Sequence, residues 1–501
     1  MGCAHINVRG NAKKDNRMKT IFTFFILLPL FCISQKQGNI WYFGDHAGLD
    51  FNSGVPVALT DGATYNDSYP HSEGTAVISD SSGSVLFYTN GQKIWNKNHL
   101  VMPHGDSLLG HLSSTQAALI VPMPGSSRYF YVFTTDAFYQ DFLKNGFRYS
   151  VVDICLDGGL GDIIPTQKNI LLVDTVAEKL TAVRHGNGLD YWIITHKFFS
   201  DAFYAYLLTN TGIVDTVISH VGSYHKEYCT SSTLPTRSAL GALKASPDGT
   251  KLACVNGQTC YHISEMFDFD KNTGIVSNVL HLLTDTVAVG LYGVSFSPDN
   301  SKLYISSWIS NDRIYQYDLS SGIPATIVSS KTIIASHIGG PWYQAMQLGP
   351  DGKIYIALRN QTSLAVINNP NLSSVSCNFS DLAIPLSGRL CSLGLPNFID
   401  FFEYSNTTNV CTVEVDELNS NKEVVISPNP FSSEAIFKSN TDFKNANLTI
   451  YNTLGQEIKN IKNISGQELK LSRGNLQTGI YFIRLTQDSK IIAIVKFTIT
   501  D

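Results

Sequence analysis

Short apolar runs, alternating with polar positions and punctuated by Gly, Pro, Asn and Asp, recur along almost the whole chain. A period of two predicts strands, and the punctuation predicts tight turns between them. Three copies of one unit stand out: Ala245-Ser246-Pro247-Asp248-Gly249 into Thr250-Lys251-Leu252, Phe296-Ser297-Pro298-Asp299-Asn300 into Lys302-Leu303-Tyr304-Ile305, and Leu348-Gly349-Pro350-Asp351-Gly352 into Ile354-Tyr355-Ile356. Pro presets φ at the second turn position, Asp tolerates the third, and Gly or Asn closes the turn. Each unit is therefore a predicted inner hairpin.

Weaker copies follow the same logic at Thr75–Tyr88, Gln116–Phe133, Thr181–Ile194 and Cys391–Phe402, making seven hairpins. Ser246, Ser297 and Gly349 are 51 and 52 residues apart. Between the hairpins lie further alternating runs such as Tyr149–Asp153, Phe203–Leu207, Met266–Phe269 and Ile314–Asp318. Four strands per unit of this length are the mark of a propeller blade, predicting an all-β, seven-bladed β-propeller over residues 35–404. The last hairpin lacks outer strands, while Ile40–Phe43 and Leu49–Asn52 lack a hairpin. Joining them is predicted to complete the seventh blade and remove the free sheet edges.

Composition supports this reading. Of 501 residues, 43% are hydrophobic and 11% aromatic, but only 15% charged, which favours β structure over a helical enzyme. A net charge of −5 gives no basic groove for nucleic acid. Lys13, Lys14, Arg17 and Lys19 precede an apolar run from Ile21 to Ile33, which is signal-peptide length. Residues 1–34 are read as leader and signal peptide, with Met18 as the expected start. No other stretch has the length of a membrane helix, so no integral span is expected in the mature chain.

The C-terminal residues 424–501 read as a second all-β unit, an immunoglobulin-like β-sandwich, after a polar linker at 405–423. Their order is Ser427-Pro428-Asn429-Pro430-Phe431, Leu448-Thr449-Ile450-Tyr451-Asn452, then Gly479-Ile480-Tyr481-Phe482, and finally Lys490 and Lys496-Phe497. This order resembles the C-terminal sorting domain (type A) of proteins exported by the type IX secretion system of Bacteroidetes. The resemblance implies a surface or secreted destination and contact with the type IX machinery. It assigns Pro428, Asn429, Pro430, Gly479, Tyr481, Lys490 and Lys496 to the sorting motif; the same residues also serve as turn, packing and edge residues of a sandwich. The propeller itself resembles Bacteroidetes surface proteins with such tails, through Asn39-Ile40-Trp41-Tyr42-Phe43-Gly44, Leu86-Phe87-Tyr88-Thr89-Asn90-Gly91 and Gly110-His111-Leu112-Ser113-Ser114-Thr115-Gln116. It lacks the Trp-Asp ending of WD repeats.

An oxidising destination favours disulfides. Cys254 and Cys260 flank Asn256-Gly257 and form one candidate pair; Cys377 and Cys391 bracket a loop and form another. The pattern Asp-Ser/Thr-apolar at Ser107, Thr175, Thr216 and Thr286 resembles O-glycosylation acceptors of these bacteria, or equally a repeated turn.

Candidate chemistry gathers where the inner strands begin: Glu73, Gln116, Thr181, Arg237, Tyr292, Tyr343, Gln344 and Arg389. His71, Glu73, His111, Gln116, Tyr343 and Gln344 form a candidate ligand site at the channel mouth, against the simpler reading of a hydrogen-bonded collar. The 13 histidines show no metal spacing, and no metal site or cofactor is expected beyond a weak calcium candidate at Asp45, Asp50 and Asn52. Trp41, Trp95, Trp308 and Trp342 are either sugar-stacking or packing residues. A GxSxG elbow and a phosphate-binding loop are absent. The function expected is non-catalytic binding or adhesion to a glycan or surface protein; the alternative is a propeller hydrolase or lyase acting on extracellular polysaccharide.

Overall fold

A computed structural model describes residues 36–64, 73–138, 142–225, 238–257, 263–283, 290–308, 312–340, 343–400, 411, 424–453, 455–487 and 490–501. Between residues 36 and 400, the described strands form seven antiparallel sheets arranged as propeller blades. Blade 1 holds Ile40–Phe43, Ala47–Asp50 and Val57–Leu59, and blade 2 holds Ala76–Ser79, Val85–Thr89 and Ile94–Asn96. Blade 3 runs from Ala118–Pro122 to Phe147–Asp153, extended by Asp162–Ile163 and Ile170–Val173. Blades 4 to 7 are four-stranded meanders beginning at Val176–Arg184, Leu243–Ala245, Leu291–Phe296 and Tyr343–Leu348.

The repeat turns form for local reasons. In Ser246-Pro247-Asp248-Gly249 the Ser246 hydroxyl donates to Asp248 Oδ1 (2.6 Å), Gly249 N–H donates to Ser246 O (2.8 Å), and Gly249 sits at φ +70°. Ser297 and Asp299 repeat the contact at 2.7 Å, with Asn300 taking the left-handed position at φ 62°. Asx-type bonding and a tolerated positive φ make the turn close on itself. The same turns latch neighbouring blades: Asp248 N–H donates to Asn300 Oδ1 at 3.1 Å, and Asn52 Nδ2 to Gly83 O at 2.9 Å.

Ring closure differs from the predicted hairpin. Residues 391–397 form no ladder strand; they run extended between blade 7 and blade 2. Ala345 N–H donates to Leu393 O (3.2 Å) on one side, and Asn397 N–H donates to Thr75 O (2.8 Å) on the other. Blade 1 meets this segment through a bridge between Asp45 and Leu390; Phe401 and Phe402, the end of the predicted second strand, lie outside the described residues. Phe398 then packs against Trp41 at 5.8 Å, and Trp41 meets Tyr355 of blade 7 at 5.4 Å. Trp41 is fully buried and Trp95 stacks on Tyr88 (5.4 Å), so both are packing residues. Trp342 lies outside the described residues.

The C-terminal unit is the expected sandwich with fewer, longer strands. Glu434–Tyr451 and Glu457–Ser472 are continuous where shorter strands were predicted. The first half of Glu434–Tyr451 pairs with Val424–Ser427 and its second half with Gly479–Gln487. One strand thus serves both layers, and register shifts between Lys438 and Leu448 mark where it turns from one to the other. Phe437, Leu448, Ile450, Leu471, Ile483, Leu485 and Phe497 fill the core between them.

The predicted cysteine pairs are not formed. Cys155 is bonded to Cys411, a separation of 256 residues, while Cys254, Cys377 and Cys391 are buried and unbonded. The turn dipeptide and the loop were weak guides because pairing depends on Cβ placement, which sequence distance does not fix. Cys260 lies outside the described residues. No described helix is long and apolar enough to cross a membrane.

Candidate functional site: the propeller axis

Glu73 enters blade 2 from the axis and is 5% exposed. Its carboxylate accepts from Ser113 Oγ at 2.8 Å and from the Tyr292 hydroxyl of blade 6. Blades 6 and 2 are three steps apart through blades 7 and 1, so this bond crosses the ring. Burial, then the charge of Glu178, pushes the Glu73 carboxyl up to about 8. Burial also raises Tyr292, so the phenol stays a donor.

Glu178 lies in the innermost strand of blade 4 and is fully buried. It accepts from Phe138 N–H, Thr115 N–H and Thr115 Oγ1, each at 2.8 Å. Next to it on the opposite side of the strand, the Lys179 ammonium donates to the carbonyls of Leu240 (2.8 Å), Gly241 (2.8 Å) and Val255 (3.0 Å) in blade 5. Burial raises Glu178 and lowers Lys179.

Deeper along the axis, Gln116 of blade 3 reads blades 4 and 5 together. Its Oε1 accepts from Leu180 N–H (3.0 Å) and Leu243 N–H (2.8 Å), and its Nε2 donates to Leu243 O (3.0 Å). Asn397 donates to Leu180 O (2.9 Å) and accepts from Lys244 Nζ (3.1 Å). Lys244 also reaches Gln347 of blade 7 at 2.6 Å and Asp400 at 3.6 Å. The described axis thus carries polar side chains that bond to neighbouring blades and, through Glu73, Gln116, Lys244 and Asn397, to blades two or three steps away.

The five described candidate mouth residues do not converge. Glu73 and Gln116 reach the axis, and His111 lies beside them, its Nδ1 accepting from Ser113 N–H at 3.1 Å. Tyr343 turns outward instead and donates to Asp381 Oδ1 (3.0 Å), beside His337 at 2.6 Å from the same carboxylate. Gln344 is buried in blade 7, with its backbone carbonyl accepting from Ser306. Tyr343 and Gln344 are neighbours on a strand, so their side chains take opposite faces and cannot both meet the channel. His71 and Arg237 lie outside the described residues, and Arg389 donates to Thr60 O of blade 1. Sequence reading missed Glu178, Lys179, Lys244, Asn397 and Asp400. For Glu178, Lys179 and Lys244 the available signal was charge inside strands otherwise apolar on both faces; Asn397 and Asp400 lie outside the ladder strands.

Asp50 caps its own turn by accepting from Asn52 N–H (2.7 Å), and Asn52 is committed to Asn39 and Gly83. Among the described residues no group of three or more His, Cys, Asp or Glu is placed to hold a metal ion. Ser107 and Thr175 occupy left-handed turns (φ 60° and 47°), whereas Thr216 sits exposed in a regular strand. Thr286 lies outside the described residues.

In the tail, Asn429 Oδ1 accepts from Thr498 N–H (2.8 Å) and its Nδ2 donates to Lys496 O (3.2 Å), tying the Pro428–Pro430 turn to the last strand. Tyr481, two residues into the strand that Gly479 opens, donates to Gln477 O (3.0 Å) and stacks on Phe497 (5.5 Å). Lys490 opens the last strand opposite Gln487.

Residues 425–500 match the secretion system C-terminal sorting domain family. The chain is therefore an all-β type IX secretion cargo, a propeller carrying its sorting sandwich, addressed to the cell surface or beyond. Similar solved structures include a protein from Bacteroides uniformis provisionally called a 6-phosphogluconolactonase, at 13% identity and TM-score 0.41, covering 70% of this chain and 98% of that one. The Cps50 (Swd1) β-propeller domain of Myceliophteria thermophila shows 9% identity and TM-score 0.37, over 64% and 94% of the two chains. No curated protein matches.

Proposed function

We propose that the propeller is a non-catalytic binding module, delivered outside the cell by its sorting tail and engaging a glycan or surface protein there. The observation that carries this reading is the state of Glu73. The carboxylate best placed for acid–base work is buried and already accepts from Ser113 and Tyr292. A general acid or base must be within reach of a substrate proton, and this one faces protein. The buried Gln116, Lys244 and Asn397 bonds cross the ring and serve as a collar that fixes the blades.

A glycan array and a polysaccharide-turnover assay on the full chain, wild type and Glu73→Gln, test it. Binding without product release, unchanged in the variant, is the expected outcome. Product formation lost in Glu73→Gln would establish the hydrolase or lyase alternative instead. On this reading residues 1–34 serve as the leader and 405–423 as the linker between cargo and label.

A further inference from the structure

Three buried side chains of the collar carry the parts of a covalent bond. Lys244, 4% exposed, lies in the innermost strand of blade 5, and Gln347, 1% exposed, in that of blade 7. Lys244 Nζ donates to Gln347 Oε1 at 2.6 Å. Asp400 touches both: its Oδ1 is 3.6 Å from Lys244 Nζ and accepts from Gln347 Nε2 at 3.2 Å. We propose that Lys244 and Gln347 condense into an intramolecular amide, with Asp400 carrying the proton, so that blades 5 and 7 become covalently joined across the ring.

A nucleophile, an acyl group and a proton carrier are thus in contact. Lys244 Nζ forms a bond to Gln347 Cδ, and the Cδ–Nε2 bond breaks. Asp400 gives its proton to the departing Nε2 and takes one from Nζ. Ammonia leaves, the carboxyl is restored, and no co-reactant is consumed. The bond is independent of what the propeller binds.

Burial favours the forms this step needs, lowering Lys244 and raising Asp400. Transfer of one proton from Nζ to Asp400 turns the buried ion pair into a neutral one and leaves the amine its lone pair, as in other desolvated nucleophilic lysines. Holding the groups in contact makes the attack effectively unimolecular. The same burial keeps water, the competing nucleophile, from the amide. Asp400 also borders an open cleft with Ser246 and Asp248, which gives the ammonia a way out.

The neighbouring groups explain why Gln347 is the partner. Asn397 Oδ1 also accepts from Lys244, at 3.1 Å, but its Nδ2 donates to the carbonyls of Leu180 (2.9 Å) and Ala118 (3.3 Å). Among the described residues, its nitrogen therefore has no acid in contact to protonate it as it leaves. Lys179 is as deeply buried as Lys244, but its described hydrogen bonds all go to backbone carbonyls, with no carboxamide to attack.

Peptide mapping of the folded, purified full chain by tandem mass spectrometry, after denaturation and reduction, tests the proposal. Wild type should yield a species joining the Lys244 and Gln347 peptides, lighter than their sum by one ammonia, with Lys179 unmodified. Lys244→Arg and Asp400→Asn should each lose that species while circular dichroism keeps its β spectrum. Separate, unmodified Lys244 and Gln347 peptides from the wild-type chain would overturn the proposal, and that result needs no variant to fold. Ammonia lost only at another residue, or a link from Lys244 to Asn397, would overturn it too. Persistence of the joined species in Asp400→Asn would overturn the role given to Asp400.

Discussion

The Tyr292 hydroxyl donates to the Glu73 carboxylate across the ring, joining blade 6 to the entry of blade 2. Residues 219 apart in sequence thereby share one buried bond, and the ring cannot open between them without exposing an unpaired carboxyl. The cross-ring bonds of Gln116, Lys244 and Asn397 repeat this relationship further along the axis.

Glu73 makes stability pH-dependent. Its carboxyl titrates near 8 in the fold, against about 4.5 unfolded, because burial and Glu178 disfavour the charge. Between those values the folded state holds the extra proton, so stability falls as pH rises from about 4.5 and levels off above about 8. The loss should be on the order of a few kcal/mol, shared with Glu178 as a coupled pair. Urea unfolding at pH 5 and pH 8.5 should show it, and Glu73→Gln should flatten the dependence. An unchanged slope in Glu73→Gln would contradict the assignment.

Gln116→Leu removes the acceptor of Leu180 N–H and Leu243 N–H at once. Two buried donors left unpaired cost about 2–5 kcal/mol together. The urea midpoint of the propeller should drop accordingly, while export stays intact.

Lys244 and Asp400 form a buried pair whose loss is asymmetric. Lys244→Met alone leaves Asp400 without its buried counter-charge and Gln347 Oε1 without its donor, and should cost about 3–5 kcal/mol. Adding Asp400→Leu should recover part of that loss, and a double-mutant cycle measures the coupling. Simple additivity would show that the two groups do not interact.

The Cys155–Cys411 bond ties the segment beyond the closing strip back to blade 3. Closing a loop of 256 residues restricts the unfolded chain strongly, and native disulfides are typically worth about 2–5 kcal/mol. Cys155→Ser should lower the melting temperature, whereas Cys377→Ser should not change the disulfide count by mass. Native thiol labelling should leave Cys254, Cys377 and Cys391 unmodified, because burial raises all three thiols and shields them.

The blades were legible because their determinants are local. Ser246-Pro247-Asp248-Gly249 closes on itself, and alternation in Leu303-Tyr304-Ile305 and Ile354-Tyr355-Ile356 assigns each residue a face. The axis was less so. Glu73, Gln116 and Tyr292 were found because they begin inner strands, but Tyr343 shares that position and points outward to Asp381. Which face a strand turns to the channel depends on twist and register, and neither is written in a four-residue run. Glu178 and Lys179 went unnoticed because their partners, Thr115, Phe138 and the carbonyls of 240–255, are 40 or more residues away in sequence. The Cys155–Cys411 pairing was hidden for the same reason.

The tail's role as an address is the central claim, and deleting Val424–Asp501 tests it most directly. In a host with the type IX machinery, the full chain should be found at the cell surface or in the medium by fractionation, and the truncated propeller should stay folded in the periplasm. Surface delivery of the truncated chain at the level of the full one would contradict the account.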